Sequence, residues 1–348
     1  MPLPDEPNLA IVGATGAVGR ELLELLVERC FPHGRLRLLA SPRSAGRWLP
    51  YGGTSIGVEE LAEDSFADID LAFFSAGGSI SRQFAPRAVE AGAIVIDNSS
   101  AFRMDDEVPL IVPEINGDGL ARISGPGMIA NPNCSTIIVL MAVTPLHRAA
   151  TVRRMVVSTY QAASGAGASW MAELQQQARD FAADRPLTTE ATGRRLLFNV
   201  FSHDSPIGPE GYNEEEMKLL RETRRIWSDD AVRVTATCVR VPVLRAHSAA
   251  INLTFAEPLD QDEARHLLAE APGVRVVDHR AANRFPEPID ADGLDDVLVG
   301  RIRSDLSQAP GTGLDLFVAG DQLRKGAALN AIQIAERLVG APAAATEG

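Results

Sequence analysis

The apolar run Leu9-Ala10-Ile11-Val12 passes directly into Gly13-Ala14-Thr15-Gly16-Ala17-Val18-Gly19 and then into a helix-spaced pattern from Arg20 to Arg29. Few folds accommodate that succession. A short, wholly apolar run reads as a buried parallel strand. The glycines then allow a tight turn, close approach of backbone to a pyrophosphate, and close packing of the following helix. That helix begins with unpaired N–H groups and a positive dipole end, which suit an anion. The spacing is GxxGxxG, a variant of the usual fingerprint that also serves ordinary strand-to-helix connections, so the rest of the chain must supply the context.

A second strand, Leu36 to Ala40, ends in Ser41-Pro42-Arg43-Ser44-Ala45-Gly46. An acidic residue here would grip the ribose hydroxyls of NAD. Arg43 instead can pair with a ribose 2′-phosphate, and the Ser41 and Ser44 hydroxyls can donate to it, which favours NADP. Strands at Leu71 to Phe74 and Ala93 to Ile96 carry Ser75, Gly77-Gly78-Ser79 and Asn98-Ser99-Ser100 at their carboxyl ends, where a cofactor is expected. Alternating strands and helices to about residue 130 describe an α/β, Rossmann-like doubly wound domain. Beyond it, strand-like runs Met155 to Tyr160, Val232 to Val243 and Ala249 to Phe255 interleave with helical stretches Ser169 to Ala183 and Asn213 to Ile226, the pattern of an α+β second domain. The segment Gly326 to Leu338 is apolar at helical spacing and is expected to return to the first domain, ahead of an alanine-rich, frayed tail after Gly340.

The 348 residues, 45% of them apolar, suffice for two buried cores. A net charge of −13 argues against a general nucleic-acid or membrane surface, so any anion must bind in a local pocket. Cys30, Cys134 and Cys238 are odd in number and far apart, which suggests neither a disulfide framework nor a metal site and fits the cytoplasm. The start of the chain has no signal-peptide pattern, and no run is long enough to span a membrane.

Cys134 stands in Asn131-Pro132-Asn133-Cys134-Ser135-Thr136, after a proline-containing loop and before the apolar run Ile137 to Val143, which places its sulfur at a helix N-terminus. A thiolate attacks an aldehyde to give a thiohemiacetal able to release hydride, leaving a thioester open to a second nucleophile. Cys30 and Cys238 fall within apolar helix and strand patterns and read as core. Of the six histidines, His247, beyond the run Val239 to Val243, is the best placed to exchange a proton with the thiol or thiohemiacetal; no Asp or Glu lies close to it in the sequence. Arg103, Lys218 and Arg240 supply cations for an anionic substrate, although Glu215 and Lys218, three apart on a helix, could also be a surface pair. The residues thus describe an NADP-linked thiol enzyme for an anionic aldehyde.

Taken together the chain resembles the aspartate-semialdehyde dehydrogenases from about Leu9 to Leu338. The segments that carry the likeness include Gly13 to Gly19, Ala40 to Gly46, Asn98 to Met104, Val112 to Asn116, Asn131 to Ile137, Ser158 to Gln161, Asn213 to Lys218, Arg240 to Ser248 and Arg324 to Glu336. The resemblance implies reduction of L-4-aspartyl phosphate by NADPH to L-aspartate 4-semialdehyde and phosphate, supplying lysine, threonine and methionine synthesis. It implies Cys134 as nucleophile, His247 as acid/base, and Gln161 positioning the thiol and carbonyl, with Asn133 steadying the oxyanion. Arg103 and Lys218 would bind the phosphoryl group, Arg240 the α-carboxylate and Glu215 the α-ammonium. Cofactor contacts would fall on Gly13, Thr15, Gly16, Ala17, Val18, Ser41, Arg43, Ser44, Ser75, Gly77, Ser164, Gly165 and Asn330. It further implies a homodimer, no metal, and a division into a dinucleotide-binding domain, residues 1–132 completed by 323–348, and a catalytic and dimerisation domain, residues 133–322.

Three positions depart from the family pattern: Ile138 stands where glutamine often follows, Ala246 replaces the usual glycine before His247, and Ala249 replaces the usual glutamate. None removes a reacting group. The alternative readings are N-acetyl-glutamyl-phosphate reductase, whose cysteine context looks like Asn-Pro-Gly-Cys-Tyr, and a catalytically silent NADP-binding paralogue. Asn133 and Ser135 beside Cys134, and Glu215 as partner for a free ammonium, favour the aspartyl substrate.

Overall fold

The computed structural model describes residues 3–340, in two compact units: the residues up to Asn133 with those from Ala327 onward, and Cys134–Gly326. The alanine-rich tail expected to fray lies outside the described residues.

The first unit is built on β1 (Leu9–Val12), β2 (Leu36–Ala40), β3 (Trp48–Tyr51), β4 (Thr54–Glu60), β5 (Leu71–Phe74), β6 (Ile94–Asp97) and β7 (Gly127–Ala130). They form one sheet in the order β3-β4-β2-β1-β5-β6-β7, parallel except for β3 against β4. Val12 lies opposite both Leu39 and Phe74, so β1 is central. The chain runs outward from β1 to β2 and later returns to the other side at β5. That reversal opens a crevice at the carboxyl ends of β1 and β5, the usual ligand position in such sheets.

Two cores flank the sheet. On one face α1 (Ala17–Glu28) sets Leu22, Leu25 and Leu26 against Leu329, Ile332 and Ala335 of the C-terminal helix Leu329–Val339. On the other, α2 (Gly78–Glu90) sets Phe84, Ala85 and Ala88 against Phe66, Phe74 and Val95. Each large apolar side chain so buried contributes about 1.5–3 kcal/mol. Arg29 grips Glu336 with two bonds, at 2.7 and 3.0 Å, between groups largely removed from water. A short helix, α3 (Pro113–Asn116), follows β6.

Two features of this unit differ from the sequence reading. No helix separates β2 from β5; β3 and β4 form a hairpin there. Its turn is Gly52-Gly53, with φ of 53° and 82°, and two successive left-handed residues match the twist of paired strands. Cys30 is exposed, not core: α1 ends at Glu28, and Cys30 leaves it with φ 49°, pointing away from the apolar face.

The second unit contains β8 (Val152–Gln161), β9 (Phe201–Ser202), β10 (Arg233–Arg240), β11 (His247–Phe255), β12 (Val274–Val276), β13 (Val297–Ser304) and β14 (Gly313–Gly320), in the order β12-β13-β14-β11-β8-β10-β9. The mixed sheet carries α4 (Cys134–Ala150), α5 (Ala168–Ala182), α6 (Glu214–Trp227) and α7 (Gln261–Ala269). Every residue of α4 from Ser135 to Thr144 is buried, because strands pack on one side and α6 and α7 on others. A helix enclosed in this way has no polar face, which explains its nearly unbroken apolar sequence. Cys238 is buried on β10, and burial pushes its thiol up to about 12. The strand expected to reach Val243 stops at Arg240, where Val243 N–H turns back to Val241 O at 2.8 Å ahead of His247, which opens β11 opposite Gly320.

Candidate functional site

In the first unit the candidate cofactor residues gather at the carboxyl ends of β1, β2 and β5. Gly13 has φ 89°, and a Cβ there would lie 2.9 Å from the Ser75 carbonyl, so only glycine lets the turn pass β5. A Cβ on Gly19 would meet Gly13 O at 2.4 Å, which accounts for the close seating of α1 on the turn. Gly16, the N-cap of α1, has no side chain to bond the first N–H groups of the helix, which begin at Ala17 and Val18 beside Thr15. These features fit a pyrophosphate. At the end of β2, Ser41 O accepts from Ser44 N–H at 2.8 Å; Ser41 and Arg43 face water while Ser44 is buried. The tight loop therefore presents a guanidinium at its outer edge. Ser75 N–H and Oγ both bond Val12 O, and Gly77, with φ 88°, has open space where a Cβ would stand.

Further along the same sheet edge, Arg103 donates from Nε to Asn131 O at 2.9 Å and from Nη2 to Asn98 O at 2.8 Å. Asn133, at the end of this unit, is buried. Asn330 is wholly buried too, its Nδ2 donating to Ile111 O at 3.0 Å and Asn131 Oδ1 at 2.6 Å.

In the second unit short contacts link Gln161, Glu215, Lys218, Arg240 and His247, candidate catalytic and substrate-binding residues, and reach Ser135 beside Cys134. Cys134 opens α4, at the positive end of its dipole, and a Cβ on Gly326 would come within 2.9 Å of Cys134 Cβ, so a glycine backs the thiol. Gln161 closes β8 and donates from Nε2 to Ser135 Oγ at 3.0 Å, to Thr159 Oγ1 at 3.3 Å and to Glu215 Oε1 at 3.3 Å, which brings its carboxamide to the first turn of α4. The α6 start is fixed by a reciprocal capping box between Asn213 and Glu216, both bonds 2.9 Å. That register turns Glu215 inward, and Lys218, one turn on, meets it at 3.1 Å. Glu215 is buried, so this is no surface pair.

Arg240, parallel to Gln161 across β10 and β8, donates from Nε to Asp204 Oδ1 at 3.2 Å and from Nη1 to Ala162 O at 3.3 Å. Its Nη2 makes no hydrogen bond among the described residues, and the guanidinium lies 5.4 Å over the Trp170 ring. His247 Nδ1 accepts from Ala162 N–H at 3.1 Å, which places the neutral ring's proton on Nε2, a buried atom without a partner. Burial first, then the positive Arg240, lower its pKa to about 3, against the opposing pull of Glu215. Gly165 fits beneath this pair. A Cβ there would fall 2.8 Å from His247 Cε1 and Nε2 and 2.9 Å from Arg240 Nη1. Ser164 Oγ accepts from Gln322 Nε2, whose Oε1 accepts from Ala246 N–H at 2.9 Å. Ala246 itself has φ 70°, a left-handed backbone that a glycine would hold without strain.

The sequence does not single out Thr159, Asp204, Trp170 or Gln322. Ser135, which the sequence marks only as a flank of Cys134, is the acceptor that draws Gln161 to α4. Nothing along the chain links Asp204 or Trp170 to Arg240. Among the described residues no group of three or more His, Cys, Asp or Glu could hold a metal.

Residues 8–123 match the family model described as semialdehyde dehydrogenase, NAD binding domain, and residues 143–325 the semialdehyde dehydrogenase, dimerisation domain. The fold is thus that of a two-domain semialdehyde dehydrogenase. Aspartate-semialdehyde dehydrogenase of Synechocystis sp. is 53% identical over 97% of this chain and 98% of its own. That of Aquifex aeolicus is 46% identical over 95% and 98%. The crystal structure of aspartate semialdehyde dehydrogenase II from Vibrio cholerae, complexed with ASA, superposes with a TM-score of 0.92 at 41% identity, covering 96% of this chain and 98% of that one. The chain belongs to the aspartate-semialdehyde dehydrogenase family.

Proposed function

We propose that this enzyme reduces L-4-aspartyl phosphate to L-aspartate 4-semialdehyde with NADPH, releasing phosphate, through a thioester on Cys134. The observation that carries the reading is one buried cluster in which Gln161 and Glu215 adjoin the first turn of α4 while Arg240 and His247 share a wall at Gly165. Cys134 attacks the acyl carbon, and the carbon–oxygen bond to phosphate breaks. Lys218, and Arg103 as a second cation, favour the departing dianion. Gln161 and Asn133 orient the carbonyl, with the Cys134 N–H as a further oxyanion donor. Arg240 takes the α-carboxylate through its unused edge, and Glu215 takes the α-ammonium.

The turn Gly13 to Val18 would hold NADPH, with Ser41, Arg43 and Ser44 taking its 2′-phosphate, and the bound cofactor would supply hydride. Ser75, Gly77, Ser164, Gly165 and Asn330 complete its proposed surroundings, Asn330 acting from within the core. His247, neutral and carrying its proton on Nε2, donates a hydrogen bond to the substrate oxygen as negative charge develops there. It keeps that proton when the thiohemiacetal oxyanion collapses to the aldehyde and the carbon–sulfur bond breaks to release the Cys134 thiolate. A homodimer formed through the second unit is consistent with the dimerisation-domain match. Cys30, Cys134 and Cys238 form no disulfide, which fits a reducing, cytoplasmic setting, and among the described residues no helix is long and apolar enough to cross a membrane.

The test is NADPH formation from L-aspartate 4-semialdehyde and NADP, with and without inorganic phosphate, for the wild type and Cys134→Ala. The expected result is turnover that needs both phosphate and Cys134, with NADP binding kept in the variant. Turnover by Cys134→Ala would remove the assigned nucleophile.

A further inference from the structure

The carboxamides of Asn330, Asn131 and Asn98 form a chain within the first unit. Asn330 Nδ2 donates to Asn131 Oδ1 at 2.6 Å, and Asn131 Nδ2 donates to Asn98 Oδ1 at 2.7 Å. Two backbone carbonyls set its direction: Asn330 Nδ2 also meets Ile111 O at 3.0 Å, and Asn131 Nδ2 also meets Ala327 O at 3.3 Å. A carbonyl can only accept, so neither carboxamide can be turned over without setting oxygen against oxygen. Asn98 must therefore present its oxygen to Asn131 and its nitrogen the other way. That nitrogen is closed off from water and has no partner. It is the one side-chain donor in this condition among the described residues of the first unit.

The surrounding loop is held firmly. Asp97 accepts from Ser81 Oγ, Ser99 N–H and Ser99 Oγ at 2.7, 3.0 and 2.7 Å, and Asn98 N–H bonds Phe74 O at 2.9 Å. Asn98 cannot readily turn to find another acceptor. An unpaired buried donor destabilises the free protein unless a ligand supplies the missing acceptor. Its surroundings specify which ligand: the backbone carbonyls of Asn98 and Asn131 together orient the Arg103 guanidinium. A neutral donor knotted to a guanidinium fits an anionic oxygen.

We propose that Asn98 is a further substrate-binding residue, its Nδ2 donating to a phosphoryl oxygen of the acyl phosphate, or of inorganic phosphate in the reverse reaction, beside Arg103. The inference rests on the phosphorylating reading above. Asn98→Asp keeps an oxygen towards Asn131 while replacing the donor with a repelling oxygen, and Asn98→Ala removes the carboxamide without adding charge. Initial rates of semialdehyde oxidation are measured against inorganic phosphate at saturating NADP, and then against NADP at saturating phosphate. The expected result is a phosphate KM raised about tenfold or more in Asn98→Ala and further in Asn98→Asp, the loss expected for a bond to a charged group. NADP KM should stay within about twofold. A raised NADP KM with unchanged phosphate KM would assign the donor to the cofactor and overturn the inference, as would two unchanged values. If the wild type itself shows no phosphate-dependent turnover, the phosphorylating reading fails and this inference with it; if it does, the Asn98 variants alone decide.

Discussion

Gly165→Ala isolates the geometry that joins His247 to Arg240. The added Cβ would lie 2.8 Å from two atoms of the imidazole and 2.9 Å from Arg240 Nη1, about 0.6 Å inside the 3.4 Å where ordinary contact begins. Neither neighbour can yield alone. The ring is buried and tied to Ala162 N–H, and the guanidinium is tied to Asp204 and Ala162 O. A displacement of about 1 Å at a reacting group can lower rates by about a hundredfold, so a shift of about 0.6 Å is expected to lower kcat/KM for the semialdehyde by about fifteenfold. The assay is initial rate at saturating NADP and phosphate, with NADP affinity followed separately by quenching of protein fluorescence and folding by thermal melting. The expected signature is lost turnover and a raised semialdehyde KM that exceed any change in NADP affinity. A kcat/KM within threefold of wild type, or a loss confined to NADP affinity, would refute the steric reasoning and return Gly165 to a purely cofactor-facing role.

Two other outcomes follow from the site. His247 and His203 are both held below the ordinary 6.5, His247 down to about 3, with burial the largest cause in each. The unfolded chain therefore takes up protons that the native protein excludes, so stability is full above pH 6.5 and falls as pH drops from there towards 3; His247 alone contributes a slope of about 1.4 kcal/mol per unit. Urea midpoints at pH 7.5 and 5.0 should show the fall, and His247→Asn should reduce it; a flat profile would contradict the buried, neutral ring. Arg43→Ala should raise NADP KM by about tenfold to a hundredfold while leaving NAD use nearly unchanged, since only NADP carries the phosphate Arg43 can grip. Equal losses for both nucleotides would place Arg43 elsewhere in the site.

Much of the fold was legible because its signals are local. The strands Leu36–Ala40 and Leu71–Phe74 read with the bounds they have in the structure, since strands covered on both faces are continuous apolar runs ended by turn residues. The unbroken run after Cys134 gives a helix for the same reason. Where the chain's path depends on a pair of residues with unusual backbone angles, the reading failed: Gly52-Gly53 makes a hairpin that alternation alone would not suggest. Cys30 was misplaced because helix periodicity does not tell where the helix stops.

The sequence by itself determined the class of fold and the family and marked the side chains proposed for the chemistry, because glycine spacing, apolar runs and the Asn133-Cys134-Ser135 context are all properties of neighbouring residues. Only the tertiary structure decided what those side chains do to one another. Asp204 meets Arg240 across 36 residues, Ala162 fixes the proton of His247 across 85, and Ala327 and Ile111 set the direction of a carboxamide chain that ends at Asn98. Charge state, tautomer and the orientation of an amide depend on burial and on partners brought together by the sheet, and those are quantities that no local pattern contains.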